Sequence, residues 1–129
     1  MTYIIKMKLL HSFFPFPKAE EYGYMVAFTS AFEVLGIFEI SHGSINFSLL
    51  SPREIMIRAI LSGANGVVIM HNHPSGSLEP SKDDIRTFEQ IKEAFNILNI
   101  ALHDFIIIGD DSVLGFLSTK ITLFYIYIF

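Results

Sequence analysis

Five residues without a polar side chain, Gly66 to Met70 (GVVIM), break directly into His71-Asn72-His73-Pro74, and no other junction constrains the fold as much. A short continuous apolar run is the sign of a central strand covered on both faces. Downstream, Ile85, Phe88, Ile91, Phe95 and Leu98 recur at spacings of three and four, the pattern of an amphipathic helix. The polar cluster between them therefore falls where a buried strand ends and a helix begins. In open α/β sheets that crevice holds ligands.

The flanking sequence extends the same layered structure. Residues 22–29 (YGYMVAFT) and 33–40 (EVLGIFEI) read as strands joined by a short turn, and SHGSIN at 41–46 reads as a loop. Ser51 followed by Pro52 marks a helix start, and REIMIRAIL continues as a mostly buried helix ending at Gly63. ALHDFIII at 101–108 is another strand, with GDDS turning into VLGFL. The alternation predicts one α/β or α+β domain, which suits a chain of 129 residues.

Composition removes several function classes. With no cysteine, disulfides and thiolate metal sites are excluded and a reducing compartment fits. A net charge of −4 supplies no basic surface to neutralise phosphates, so nucleic acid is an unlikely main partner. At the N-terminus, His11 and the PFP at 15–17 interrupt the apolar run, which argues against a signal peptide. The apolar tail ITLFYIYIF at 121–129 is too short to span a bilayer and too greasy to stay in water. The expectation is a cytoplasmic protein outside the membrane that self-associates through this tail into a homo-oligomer.

The polar cluster has its own geometry. Residues two apart on an extended chain point the same way, so His71 and His73 share a face and Asn72 points to the other. Pro74 favours an extended His73. Ser81 falls at a helix cap, and Asp84, three residues on, can point back towards the strand end. Two imidazoles and a carboxylate converging there would make a three-ligand zinc site with an open fourth position, the arrangement that activates water. Ser81 and Asp84 fit a capping-box start equally well, and either histidine alone would be ordinary in a loop.

HNHPSG at 71–76 followed by PSKDD at 80–84 closely resembles the His-x-His-Pro…Ser-x-x-Asp signature of JAMM (JAB/MPN) metalloproteases, in the form seen in bacterial RadC-like proteins. SPREIMIRAI at 51–60, HGSIN at 42–46 and IIIGDD at 106–111 carry the resemblance over roughly residues 20–111. It implies a JAB/MPN-like three-layer α-β-α fold with a central mixed sheet, similar to the cytidine deaminases. The domain would cover 20–117, between a divergent segment at 1–19 and the tail at 118–129.

The resemblance also implies Zn2+ held by His71, His73 and Asp84, with the Ser81 hydroxyl stabilising an oxyanion. A glutamate near the first strand would serve as general base. Counting back from the matched strand gives Glu21, with Glu20 one residue away; a solvated acidic pair at a strand start would look the same. The implied activity is zinc-dependent hydrolysis of a peptide or isopeptide bond in a protein or peptide substrate. The alternatives are a DNA repair or recombination accessory, against which the acidic balance weighs, and a catalytically silent interaction module. One departure is His103-Asp104, where such relatives usually carry Asp-His; a histidine just before a strand is more often structural.

Overall fold

The computed structural model describes residues 3–6, 20–43, 50–109 and 112–117. The apolar tail, and the self-association expected of it, lie outside the described residues, as does most of the N-terminal segment. Strands β1 (Tyr3–Lys6), β2 (Glu21–Phe28), β3 (Val34–Gly43), β4 (Gly66–Asn72), β5 (Ala101–Ile108) and β6 (Ser112–Gly115) alternate with helices α1 (Pro52–Ser62) and α2 (Lys82–Leu98). They form one mixed sheet in the order β1-β6-β5-β4-β2-β3. β4 and β5, linked through α2, run parallel, and the other neighbours pair antiparallel.

Strand period sorts the core into two sides. Met25, Ala27, Val67, Ile69, Phe105 and Ile107 face Ile55 and Ala59 of α1 and Phe88, Ile91 and Phe95 of α2. The alternate residues Val26, Phe28, Val68, Met70, Ile106 and Ile108 form a second buried cluster on the other side. Every residue of β4 is buried, as its unbroken apolar run predicts. The mixed sheet and helices agree with the α+β fold expected. Both described helices lie on one side of the sheet, against the first of these clusters.

Several boundaries differ from the reading of the sequence, each because pairing outweighs local composition. β4 continues through His71 and Asn72, which β5 carries by pairing with Ile107 and Ile108. β3 runs on to Gly43, across what reads as loop, because Glu21, Tyr22 and Gly23 pair with Gly43, His42 and Ser41. β1 has no strong local signal and is set by pairing with β6. α1 is not mostly buried: only Ile55 and Ala59 are fully buried, and Leu61 is 81% exposed. Its end at Gly63 is as expected, with φ at 71°, a left-handed conformation that glycine adopts without strain.

The stripe of α2 is shifted as well. Ile85 and Leu98 are exposed, and the buried line runs Asp84, Phe88, Ile91, Phe95, with Thr87 beside it. Spacings of four, three and four put these residues on one face, so Asp84 is carried inward at the head of an apolar row. Among the described residues no helix is long and apolar enough to cross a membrane.

Candidate metal centre

The polar cluster is assembled from three elements on the helix-covered side of the sheet. His71 pairs with Gly23 across the β2–β4 ladder, and strand period places Glu21, Gly23 and Met25 on one face. The start of β2, the end of β4 and the first turn of α2 therefore meet at one corner. Gly23 fits this corner because a Cβ there would stand 2.6 Å from Leu50 and 2.3 Å from the Ser41 hydroxyl.

Asp84 is the hub. Its Oδ1 lies 2.8 Å from His71 Nε2, and its Oδ2 lies 2.8 Å from His73 Nε2. Oδ2 also accepts the Ser81 N–H, while the Ser81 hydroxyl oxygen accepts the Asp84 N–H at 3.0 Å, closing a capping box. His71 is fully buried and Asp84 1% exposed, so these polar groups depend on one another. Burial alone would push the Asp84 carboxyl up. The hydrogen bonds from the two histidines outweigh it and hold that group well below the usual carboxylate range.

The second bond of His73 fixes its tautomer. Nδ1 lies 2.9 Å from the Ser77 carbonyl, which can only accept, so Nδ1 carries the proton. In the neutral ring Nε2 then presents a bare lone pair to a carboxylate oxygen. That arrangement demands a positive charge between them, from a second proton on His73 or from a metal ion. With a proton the imidazolium is favoured: the bond to Asp84 raises the His73 pKa against the opposing effect of burial. With an ion, the Ser77 carbonyl is the outer partner that orients a ligating imidazole. His71 Nδ1, by contrast, is buried without a hydrogen-bond partner, and that ring is held by Phe105 at 5.3 Å.

The donor atoms of His71, His73 and Asp84 all lie within 4.8 Å of one another, so one ion can be held by all three. Two imidazole nitrogens and a carboxylate oxygen suit zinc, and leave a fourth position open.

Glu21 is brought to the same corner. It is 8% exposed, and its carboxyl is raised chiefly by burial, with the nearby charges of His71, Asp84 and His73 acting on it as well. Glu20 is directed elsewhere, its carboxylate accepting from the Tyr22 hydroxyl at 3.0 Å. Ser81 is in place at the helix cap; its oxygen accepts one bond and its own O–H is left to donate. His103 and Asp104 lie away from this corner. His103 sits among Phe28 and Phe32, its pKa lowered by burial, and Asp104 accepts from the Phe105 and Leu117 amides. Two contributors escaped the sequence reading: the Ser77 carbonyl, a main-chain atom with no residue-type signal, and Asn72, legible only as the residue between the two histidines.

Comparison with known proteins places this geometry in a family context. The model for the RadC-like JAB domain matches residues 5–121. A UPF0758 protein from Alkaliphilus metalliredigens is 40% identical over 92 residues, covering 71% of this chain and 40% of the relative. Those from Clostridium beijerinckii and Staphylococcus epidermidis are 45% and 48% identical over 87 and 69 residues, covering 67% and 54% of this chain and 37% and 30% of the relatives. The chain thus spans well under half the length of these curated relatives.

Proposed function

This chain belongs to the RadC-like JAB domain family, and on that premise we propose that it is a zinc-dependent hydrolase acting on a peptide or isopeptide bond. The observation that carries the reading is the convergence of His71, His73 and Asp84 at the strand–helix crevice, with Glu21 buried beside them. Zinc, when bound, supplies Lewis acidity towards an attacking water or a polarised carbonyl. His71, His73 and Asp84 would hold it, with Ser77 and Ser81 keeping His73 and Asp84 in register.

Glu21 takes the proton of the attacking water. Burial favours its protonated form, so after accepting that proton it can pass it to the leaving nitrogen. The Ser81 O–H donates towards the oxygen on which negative charge develops.

The test has two parts. Elemental analysis of the purified protein should give one zinc per chain, and His73→Ala should remain folded while losing it; equal zinc in both would sink the site. Zinc-loaded protein is then incubated with a complex mixture of peptides and new termini are read by mass spectrometry. Cleavage should fall by about 10²–10⁴-fold in Glu21→Gln with zinc retained, and persist in Glu20→Gln. Absence of new termini with the wild-type protein overturns the hydrolase reading.

A further inference from the structure

We infer that Asn72, between the two histidine ligands, is a positioning residue that sets the aim of Glu21. The inference rests on the reading of Glu21 as the proton-transfer group.

Main-chain pairing between β2 and β4 runs from Phe28↔Gly66 to Gly23↔His71 and goes no further. Beyond it the β4 chain turns towards β5: the His73 N–H is directed at the Ile108 carbonyl, and Pro74 has no N–H to offer. The Glu20 carbonyl and the Tyr22 N–H, at the start of β2, lie just past the last of these β2–β4 pairs. Asn72 fills that place with its side chain. Its Oδ1 accepts the Tyr22 N–H at 2.6 Å, and its Nδ2 donates to the Glu20 carbonyl at 2.9 Å.

These two bonds bracket one residue. The Glu20 carbonyl belongs to the peptide unit before Glu21, and the Tyr22 N–H to the unit after it. A single carboxamide thus fixes both planes between which the Glu21 Cα is hung, and with them the direction of its side chain. On the opposite edge Glu21 is held by pairing with Gly43.

The chemistry is specific to asparagine. Aspartate keeps the acceptor but sets a carboxylate against the Glu20 carbonyl; leucine has the same bulk and neither bond. Asparagine is a poor strand former, yet it lies at 4% exposure within a strand, where only a fully satisfied amide is tolerated. Because strand period sends His71 and His73 to one side and the Asn72 amide to the neighbouring strand, three consecutive residues supply two ligands and the clamp on the base.

The test compares Asn72→Leu, Asn72→Asp, Glu21→Gln and the Asn72→Leu/Glu21→Gln double variant in the full chain. Four readouts are taken: zinc stoichiometry, the visible spectrum of the cobalt(II)-substituted protein, hydrogen exchange at the Tyr22 amide, and the rate at a cleavage site found with the peptide mixture. Asn72→Leu should retain one zinc per chain. The Tyr22 amide should exchange at least about tenfold faster while those of Met25 and Ala27 do not change.

Its kcat should fall about 10–100-fold with KM little changed, the size of loss that misplacing a reacting group produces. The cobalt spectrum should move as it does in Glu21→Gln, and the double variant should be no worse than Glu21→Gln alone. Asn72→Asp, which keeps the Tyr22 bond, should fall between wild type and Asn72→Leu, and it carries the test if the leucine variant does not fold. Losses that add in the double variant, or loss of zinc from either Asn72 variant, overturn positioning through Glu21. A Glu21→Gln protein with unchanged spectrum and rate refutes the base reading itself, and does so without any Asn72 variant.

Discussion

The two helices of the described residues begin with the same local grammar and put it to different ends. α1 opens Ser51-Pro52-Arg53-Glu54 and α2 opens Ser81-Lys82-Asp83-Asp84, in each case a serine cap followed three residues later by an acid. Ser51 accepts the Glu54 N–H at 3.4 Å, and the Glu54 side chain lies half in solvent beside Arg53. Ser81 accepts the Asp84 N–H at 3.0 Å, the reciprocal bond is made, and the acid is buried against two histidines. The difference comes from the helix face. Asp84 heads the buried stripe of α2, so a short carboxylate anchored by its own cap is held rigidly at the end of a core. The bond that finishes the helix also orients a carboxylate that could hold a metal ion, and the helix N-terminus favours its negative charge.

The sharpest break of this pairing is Asp84→Ala against Glu54→Ala. Removing the hub leaves the buried His71 and the partly buried His73 imidazoles without their acceptor, and loss of one partner from a buried charged pair typically costs about 3–5 kcal/mol. Asp84→Ala should therefore lose zinc and shift the denaturant midpoint far down. Glu54→Ala should keep zinc and change stability by less than about 0.5 kcal/mol, as exposed substitutions usually do. Comparable shifts in the two would show that Asp84 does no more than a surface cap acid.

A smaller effect separates the two ends by pH, read on protein stripped of metal. Asp84, its carboxyl pushed up by burial but held low overall by the bonds from His71 and His73, contributes stability that is present above the ordinary carboxylate value of about 3.9 and lost as pH falls through its depressed one. His73 runs the other way. Raised by its bond to Asp84, it contributes stability that is complete below about 6.5 and lost as pH rises through its folded value. Glu21, raised chiefly by burial, contributes stability that is complete below its ordinary value of about 4.5 and lost as pH rises through its raised one.

The melting temperature of the metal-free protein should thus peak between about pH 4 and 6.5 and decline on both sides. Zinc competes with the protons, so the loaded protein should gain most over the stripped one on the alkaline side. A stripped protein whose Tm keeps rising through pH 8 would contradict a proton shared between His73 and Asp84.

What the sequence made legible follows the range of the forces involved. Burial of β4 is written in its own composition, and the stripe of α2 in its period, so the strand end and helix start that carry His71, His73 and Asp84 could be placed from local pattern alone. Glu20 and Glu21 are identical letters side by side, and only the pairing of β2 with β4 puts one near the histidines and the other beside Tyr22. The Asn72 clamp joins residues about 50 apart in sequence, and the Ser77 carbonyl belongs to the main chain. β1 lies still further from its partner: four residues pair with β6 across most of the chain, with no periodicity long enough to announce a strand.

The mildest prediction removes each cap hydroxyl in turn. Replacing an N-cap serine by alanine typically costs about 0.5–2 kcal/mol, so Ser51→Ala and Ser81→Ala should lower stability by similar amounts in metal-free protein. Their effects on metal should differ. Ser51 supports a helix start whose acid faces solvent, and zinc affinity should not change when its hydroxyl is lost. Ser81 has two bonds to Asp84, and alanine keeps the one from its backbone N–H while losing the one to its hydroxyl oxygen. The ligand would then be held by half its cap, and groups that orient a metal ligand usually contribute about 10–100-fold in affinity. With one of two bonds retained, a loss near the lower end is expected, measured by competition with a chelator of known zinc affinity. Equal affinities in the two variants would mean that the histidines alone orient Asp84; an affinity lost only in Ser81→Ala would tie the cap to the ligand.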